Sequence, residues 1–141
     1  MEVNVNYLAV FLAAVSTMVV GSIWYAPGVF GNMWMKLAKV KVKTDGGTAG
    51  MAFTYIMAFV LSLITAYVLA HVSMLSNHFF NHSFLQDTLT TAFWLWLGFT
   101  AARLAMHDLF EDRRKKLTLL NVAHEFVTIM VMALIIGMMG V

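Results

Sequence analysis

Five residues toward the end of the chain have the types that chemistry needs: Arg103, His107, Asn121, His124 and Glu125. Thr100, Arg103 and His107 recur at i, i+3 and i+7, a spacing that puts them on one face of a helix. Thr118, Asn121, Glu125 and Thr128 repeat the pattern at i, i+3, i+7 and i+10, with His124 at the edge of that face. The short connection between the two stretches makes them antiparallel neighbours. Glu125 lies about two turns inside the basic boundary, on the order of 12 Å at the helical rise, and Arg103 one turn inside it. A long guanidinium side chain bridges the difference, so the spacing predicts an Arg103–Glu125 ion pair, with Asn121 and His107 supplying hydrogen bonds. Such a pair can serve only to fix helix register, with Arg103 snorkelling to headgroups. The same groups can also form a proton- or ion-responsive site, because histidines and an intramembrane carboxylate are the groups that titrate usefully there. A substrate site is the third reading.

Other chemistry is weaker. His78 and His82 are four apart and would share a helical face with Met74 nearby, a marginal copper or zinc pair without an acidic companion before Asp87. His124-Glu125 lacks the second histidine of a His-Glu-x-x-His zinc motif, and no Gly-x-Ser-x-Gly nucleophile turn occurs. There is no cysteine, so thiolate, disulfide and iron–sulfur chemistry is excluded. No metal and no cofactor is expected, and enzymatic activity is not favoured. The 12 methionines are scattered rather than arrayed in repeats, which fits adaptable apolar filling better than a copper track.

The elements that must position these groups follow from composition. Of 141 residues, 61% are hydrophobic and 11% are charged, against about a quarter charged in soluble domains. Lipid is therefore the expected solvent. Four runs approach the ~20 apolar residues a spanning helix needs: about 5–24, 51–72, 85–106 and 117–139. They are continuous rather than alternating, which argues for helices over strands. The expected fold is all-α: a single transmembrane domain, an integral membrane four-helix bundle. The first run is preceded by no positive segment of a signal peptide and is expected to be retained.

Charge sets the orientation. Lys36, Lys39, Lys41 and Lys43 lie between the first two runs, Arg113, Arg114, Lys115 and Lys116 between the last two, and Arg103 near the same end. The N-terminus, the segment 73–84 and the C-terminus carry no Lys or Arg. The positive-inside rule then places both basic loops in the cytoplasm and both termini outside a prokaryotic inner membrane. In the first loop Phe30, Met33, Trp34, Leu37 and Val40 recur at helical spacing opposite Lys36, Lys39 and Lys43. This predicts a short amphipathic interfacial helix, its lysines on anionic headgroups and Trp24 and Trp34 in the aromatic belt. Thr48 is the expected N-cap of the second span. Ala9, Ala13, Thr17 and Gly21 form a small-residue seam for close helix approach, within the bundle or between copies. Asn121, Ser16, Thr17, Ser62 and Thr65 are read as hydrogen-bonding glue between helices.

One stretch has a more specific signature: Gly21-Ser22-Ile23-Trp24-Tyr25-Ala26-Pro27-Gly28-Val29-Phe30-Gly31, followed by Trp34. With Val5-Asn6-Tyr7-Leu8 before it, and Leu109-Phe110-Glu111-Asp112-Arg113 and Leu117-Thr118-Leu119-Leu120-Asn121 after it, the chain resembles the prokaryotic family of domain of unknown function 1761. The resemblance implies a small four-helix membrane protein and carries no activity.

Function is accordingly an expectation of class. The first is a self-associating membrane interaction or accessory module, with lipids, a second copy or another membrane protein as partners and no nucleic acid. The alternative is an oligomeric channel or transporter for protons, ions or a small solute, with its polar site at the cytoplasmic end of the third and fourth helices.

Overall fold

The computed structural model describes residues 4–39 and 48–140. Every regular element among them is helical. α1 spans Tyr7–Trp24, and Asn6 caps it by accepting from the Ala9 amide at 3.1 Å. A π-helical turn, Pro27–Gly31, leads into the short α2, Asn32–Ala38. α3 spans Thr48–Phe80, and α4 spans Phe84–Leu95 with Ser83 as its cap. A second π segment, Trp96–Ala101, joins α4 to α5, Ala102–Phe110, without leaving helical backbone. α6 spans Lys115–Met139.

Among the described residues three helices, Tyr7–Trp24, Gly50–Phe80 and Lys115–Met139, are long and apolar enough to cross a membrane. The run expected at 85–106 is helical too, but the π segment divides it. The second run is longer than expected. α3 has 33 residues, about 50 Å from the helical rise, and takes in most of the segment read as an outer loop. It stops where Asn81 turns to a φ of 56°, a left-handed conformation that asparagine tolerates better than most residues. Lys41 and Lys43 and the end of the amphipathic segment lie outside the described residues, as does the side chain of Thr48.

α1 packs against α3 and α6, and α4 packs against α3 and α6, so the long elements close a ring. Near the termini the interior is made of small and branched residues: Ala9, Val10 and Ala13 of α1, Ala66 and Leu69 of α3, Ala92 of α4, and Met132 and Ile136 of α6. The seam on α1 is thus used within the chain. Alanines there let the backbones approach closely. The tightest approach is at Gly137 of α6, where a Cβ would lie 2.9 Å from the Leu85 Cα. Asn6 donates to the Met139 carbonyl at 3.5 Å, which brings the two ends of the chain together. At the far end α2 packs against α6, bringing Lys36 close to Lys116 and Lys39 close to Arg113 and Arg114.

Candidate functional site

The alanine-rich packing does not continue to the basic end. There the elements part around a groove of about 720 Å³ between α1, α3 and α6. Thr17, Gly21 and Tyr25 come from α1 and its cap, Tyr55 and Ser62 from α3, and His124, Glu125 and Thr128 from α6. Thr17 donates to the Ser62 hydroxyl at 2.8 Å, tying α1 to α3 at one wall. His124 Nδ1 lies 3.5 Å from Glu125 Oε1; the histidine side chain is 14% exposed and the carboxylate 44%. The glutamate therefore opens to the groove while the imidazole is packed behind it.

Aromatic rings hold that imidazole. Its centroid is 5.0 Å from the Tyr25 ring and 5.7 Å from the Trp24 indole. Trp24 in turn packs on Phe30 at 4.5 Å, and Tyr25 on Trp34 at 5.3 Å. The Trp-Tyr-Ala-Pro-Gly-Val-Phe-Gly stretch is thus the floor beneath His124. Its last glycine is obligatory on steric grounds: a Cβ on Gly31 would meet the Tyr25 carbonyl oxygen at 2.1 Å. Pro27 starts the π turn, and Asn32 closes it by donating to the Pro27 carbonyl at 2.8 Å. Burial pushes the Tyr25 phenol above its ordinary value, and the charge of Glu125 adds to the effect. The phenol accordingly remains a hydrogen-bond donor beside the groove. Three buried polar atoms around it, His124 Nε2, Thr128 Oγ1 and Trp24 Nε1, have no hydrogen-bond partner among the described residues.

Of the polar cluster expected from spacing, only His124 and Glu125 come together here. The Arg103–Glu125 ion pair does not form. Arg103 is exposed and makes no ion pair among the described residues, while the basic group beside Glu125 is His124. The π segment lies between α4 and Arg103 and shifts the phase of α5 from that of a continuous α-helix, so that Arg103 and His107, one turn apart on α5, are both exposed. His107 is exposed and sits 3.8 Å from Glu111 instead. Asn121 is half-buried on α6 and makes no side-chain hydrogen bond among the described residues. Ser16 and Thr65 bond to carbonyls of their own helices rather than across them. Trp24 and Trp34 are half-buried against other rings, and Lys36 and Lys39 are exposed at the basic end.

His78 and His82 do not share a helical face, because α3 ends at Phe80 between them. His82 Nδ1 lies 3.0 Å from the buried Asp87, which also accepts from Asn77 at 2.7 Å. Among the described residues no group of three or more His, Asp or Glu side chains is positioned to hold a metal ion. A second acid hidden from sequence reasoning is Asp108. It is buried on α5, accepts from Thr118 of α6 at 2.6 Å and lies 3.7 Å from Arg113. The available signal was an acidic residue ten positions before a threonine, across a tight polar turn.

No curated protein and no solved structure matches the chain. A family match extends over residues 8–137, nearly the whole of it. The match takes in α1 from Leu8 on, the floor of the groove and the α6 residues that face it, so this chain belongs to the family described as protein of unknown function (DUF1761).

Proposed function

We propose that the chain is a four-helix integral membrane protein, and that its α1–α3–α6 groove is a proton-responsive site for a cation or small polar solute, serving transport or gating. The basic end faces the cytoplasm and both termini lie outside. The observation that carries this reading is Glu125: a carboxylate open to the groove whose only counter-charge within ion-pair distance, among the described residues, is an imidazole. Ionisable residues at such depth mark ion or proton pathways by default, and histidine is the side chain that ordinarily changes charge near neutral pH. The titratable groups facing Glu125 are His124 on α6, Tyr25 at the end of α1 and Tyr55 on α3. The partnerless atoms of His124 and Thr128 supply hydrogen-bonding capacity for a solute.

The test is proton and cation flux into vesicles carrying the purified chain, at pH 6 and pH 8, for the native protein and Glu125→Gln. A contact to a charged group is worth about 1.5–3 kcal/mol, so flux should fall by about ten- to a hundredfold. Equal flux in a folded Glu125→Gln protein, or none in the native protein, defeats the reading. The second reading, a self-associating module, is favoured by α3, whose Phe53, Ile56, Val60, Leu61 and Ile64 are exposed along one continuous helix. Absent flux together with a stable dimer in vesicles would move that reading to the front.

A further inference from the structure

We infer that the trough between α5 and α6, on a different face from the groove, seats one acyl chain of an anionic phospholipid with its phosphate at Lys115. Among the described residues, α5 beyond the π segment packs on no long helix except α6. It leans along one side of α6 and leaves a trough of about 530 Å³. Ala101 at the end of the π segment and Ala102 and Ala105 on α5 keep one wall low, while Leu119 and Val122 form the α6 wall. A further hollow of about 300 Å³ shares Leu119 and Val122 and continues to Phe93, Trp96 and Phe126. Its one polar group, the Trp96 indole N–H, already donates to the Val122 carbonyl at 3.1 Å. The two hollows make one apolar path along α6 from Lys115 to Phe126. Its length is about 16 Å by the helical rise, close to one leaflet of the ~30 Å hydrocarbon core.

The mouth of the trough is charged. Asp108 is satisfied by Thr118 and Arg113, and Arg113 is shared with Glu111 at 2.6 Å. Lys115 lines the mouth and has no ion-pair partner among the described residues, nor do its neighbours Arg114 and Lys116. Asp112, the one carboxylate at the mouth without such a partner, balances Lys115 there, while Arg114 and Lys116 line hollows on the α2 side; over the whole turn Arg113, Arg114, Lys115 and Lys116 exceed Asp108, Glu111 and Asp112 by one charge. An apolar slot one leaflet deep that ends at Lys115, on a turn with one surplus positive charge, complements a lipid with an anionic head and a long chain. A soluble anion would use the mouth and leave the slot unfilled, and a zwitterionic lipid would leave the excess charge of the turn uncompensated.

The test is native mass spectrometry of the whole chain released from vesicles made of equal parts phosphatidylglycerol and phosphatidylcholine. The native protein should retain one phosphatidylglycerol per chain in preference to phosphatidylcholine. Ala105→Phe and, separately, Ala102→Phe fill the trough at exposed positions and should each abolish retention while leaving helicity by circular dichroism unchanged. Lys115→Gln should reduce the preference for phosphatidylglycerol about fivefold, the effect of one cation near a lipid surface. Retention undiminished in a folded Ala105→Phe or Ala102→Phe protein overturns the proposal. So does equal retention of the two lipids by the native chain, or a preference that Lys115→Gln leaves intact.

Discussion

Asp108 shows how one side chain can hold two elements. Its carboxylate is buried, accepts a 2.6 Å hydrogen bond from Thr118 and faces the Arg113 guanidinium at 3.7 Å. The Arg113 amide also donates to the Asp108 carbonyl at 2.9 Å, so side chain and backbone together fix the turn between α5 and α6. A hydrogen bond to a charged group contributes about 1.5–3 kcal/mol net. Asp108→Ala should therefore lower stability by about 2 kcal/mol, measured by unfolding in mixed micelles. Asp108→Asn should cost less, because its carbonyl still accepts from Thr118; equal losses would mean that the hydrogen bond is not what holds the turn. Asp108 was illegible in the sequence because acids beside a basic cluster ordinarily belong to a solvated loop. Glu125 and His124 were legible because ionisable types stand out within an apolar run. Their partner was not: Arg103 satisfied helical spacing and charge, and only the course of the backbone excluded it.

At the scale of elements, positions of the helices followed from hydropathy, and their phases did not. A run of apolar residues fixes where a helix lies. It does not encode the π segment at Trp96–Ala101, which alters the direction of every side chain after it, nor the continuation of α3 through Ser73, Asn77 and His78. The Trp-Tyr-x-Pro-x-x-Phe-Gly piece was recognisable as a signature, but its role as the aromatic floor beneath His124 required the fold. Two glycines separate packing from propensity. Gly137 faces α4, and an added Cβ would lie 2.7 Å from Leu85 Cδ1 and 2.9 Å from its Cα, which cannot swing aside. Gly98, inside the π segment, has open space where a Cβ would go. Gly137→Ala should therefore cost about 1–3 kcal/mol by overpacking. Gly98→Ala should be neutral or stabilise by up to about 1 kcal/mol, the helical advantage of alanine. Thermal unfolding of both variants checks the contrast; a Gly137→Ala protein as stable as the native one would show that α4 and α6 are not held in such close contact.

For the molecule as a whole, the deciding property is its polarity from end to end. Lys36, Lys39, Arg113, Arg114, Lys115 and Lys116 gather at one end because α2 folds against the start of α6. The opposite end holds Asn6 beside Met139 and the turn before α4, without a Lys or Arg. Both proposed sites lie in the basic half: the Glu125 groove opens beside Tyr25 and Pro27, and the α5–α6 trough ends at Lys115. If the positive-inside rule governs insertion, a proton or solute reaching Glu125 comes from the cytoplasm, and the lipid in the trough belongs to the inner leaflet. The chain has no cysteine, so single cysteines can report this directly. Lys116→Cys should resist a membrane-impermeant maleimide in intact cells and label fully once they are permeabilised, while Ser83→Cys should label in both. The reverse pattern would put the basic end outside and assign the trough to the outer leaflet. Labelling of both positions in intact cells would mean two orientations, and each groove would then face both sides of the membrane.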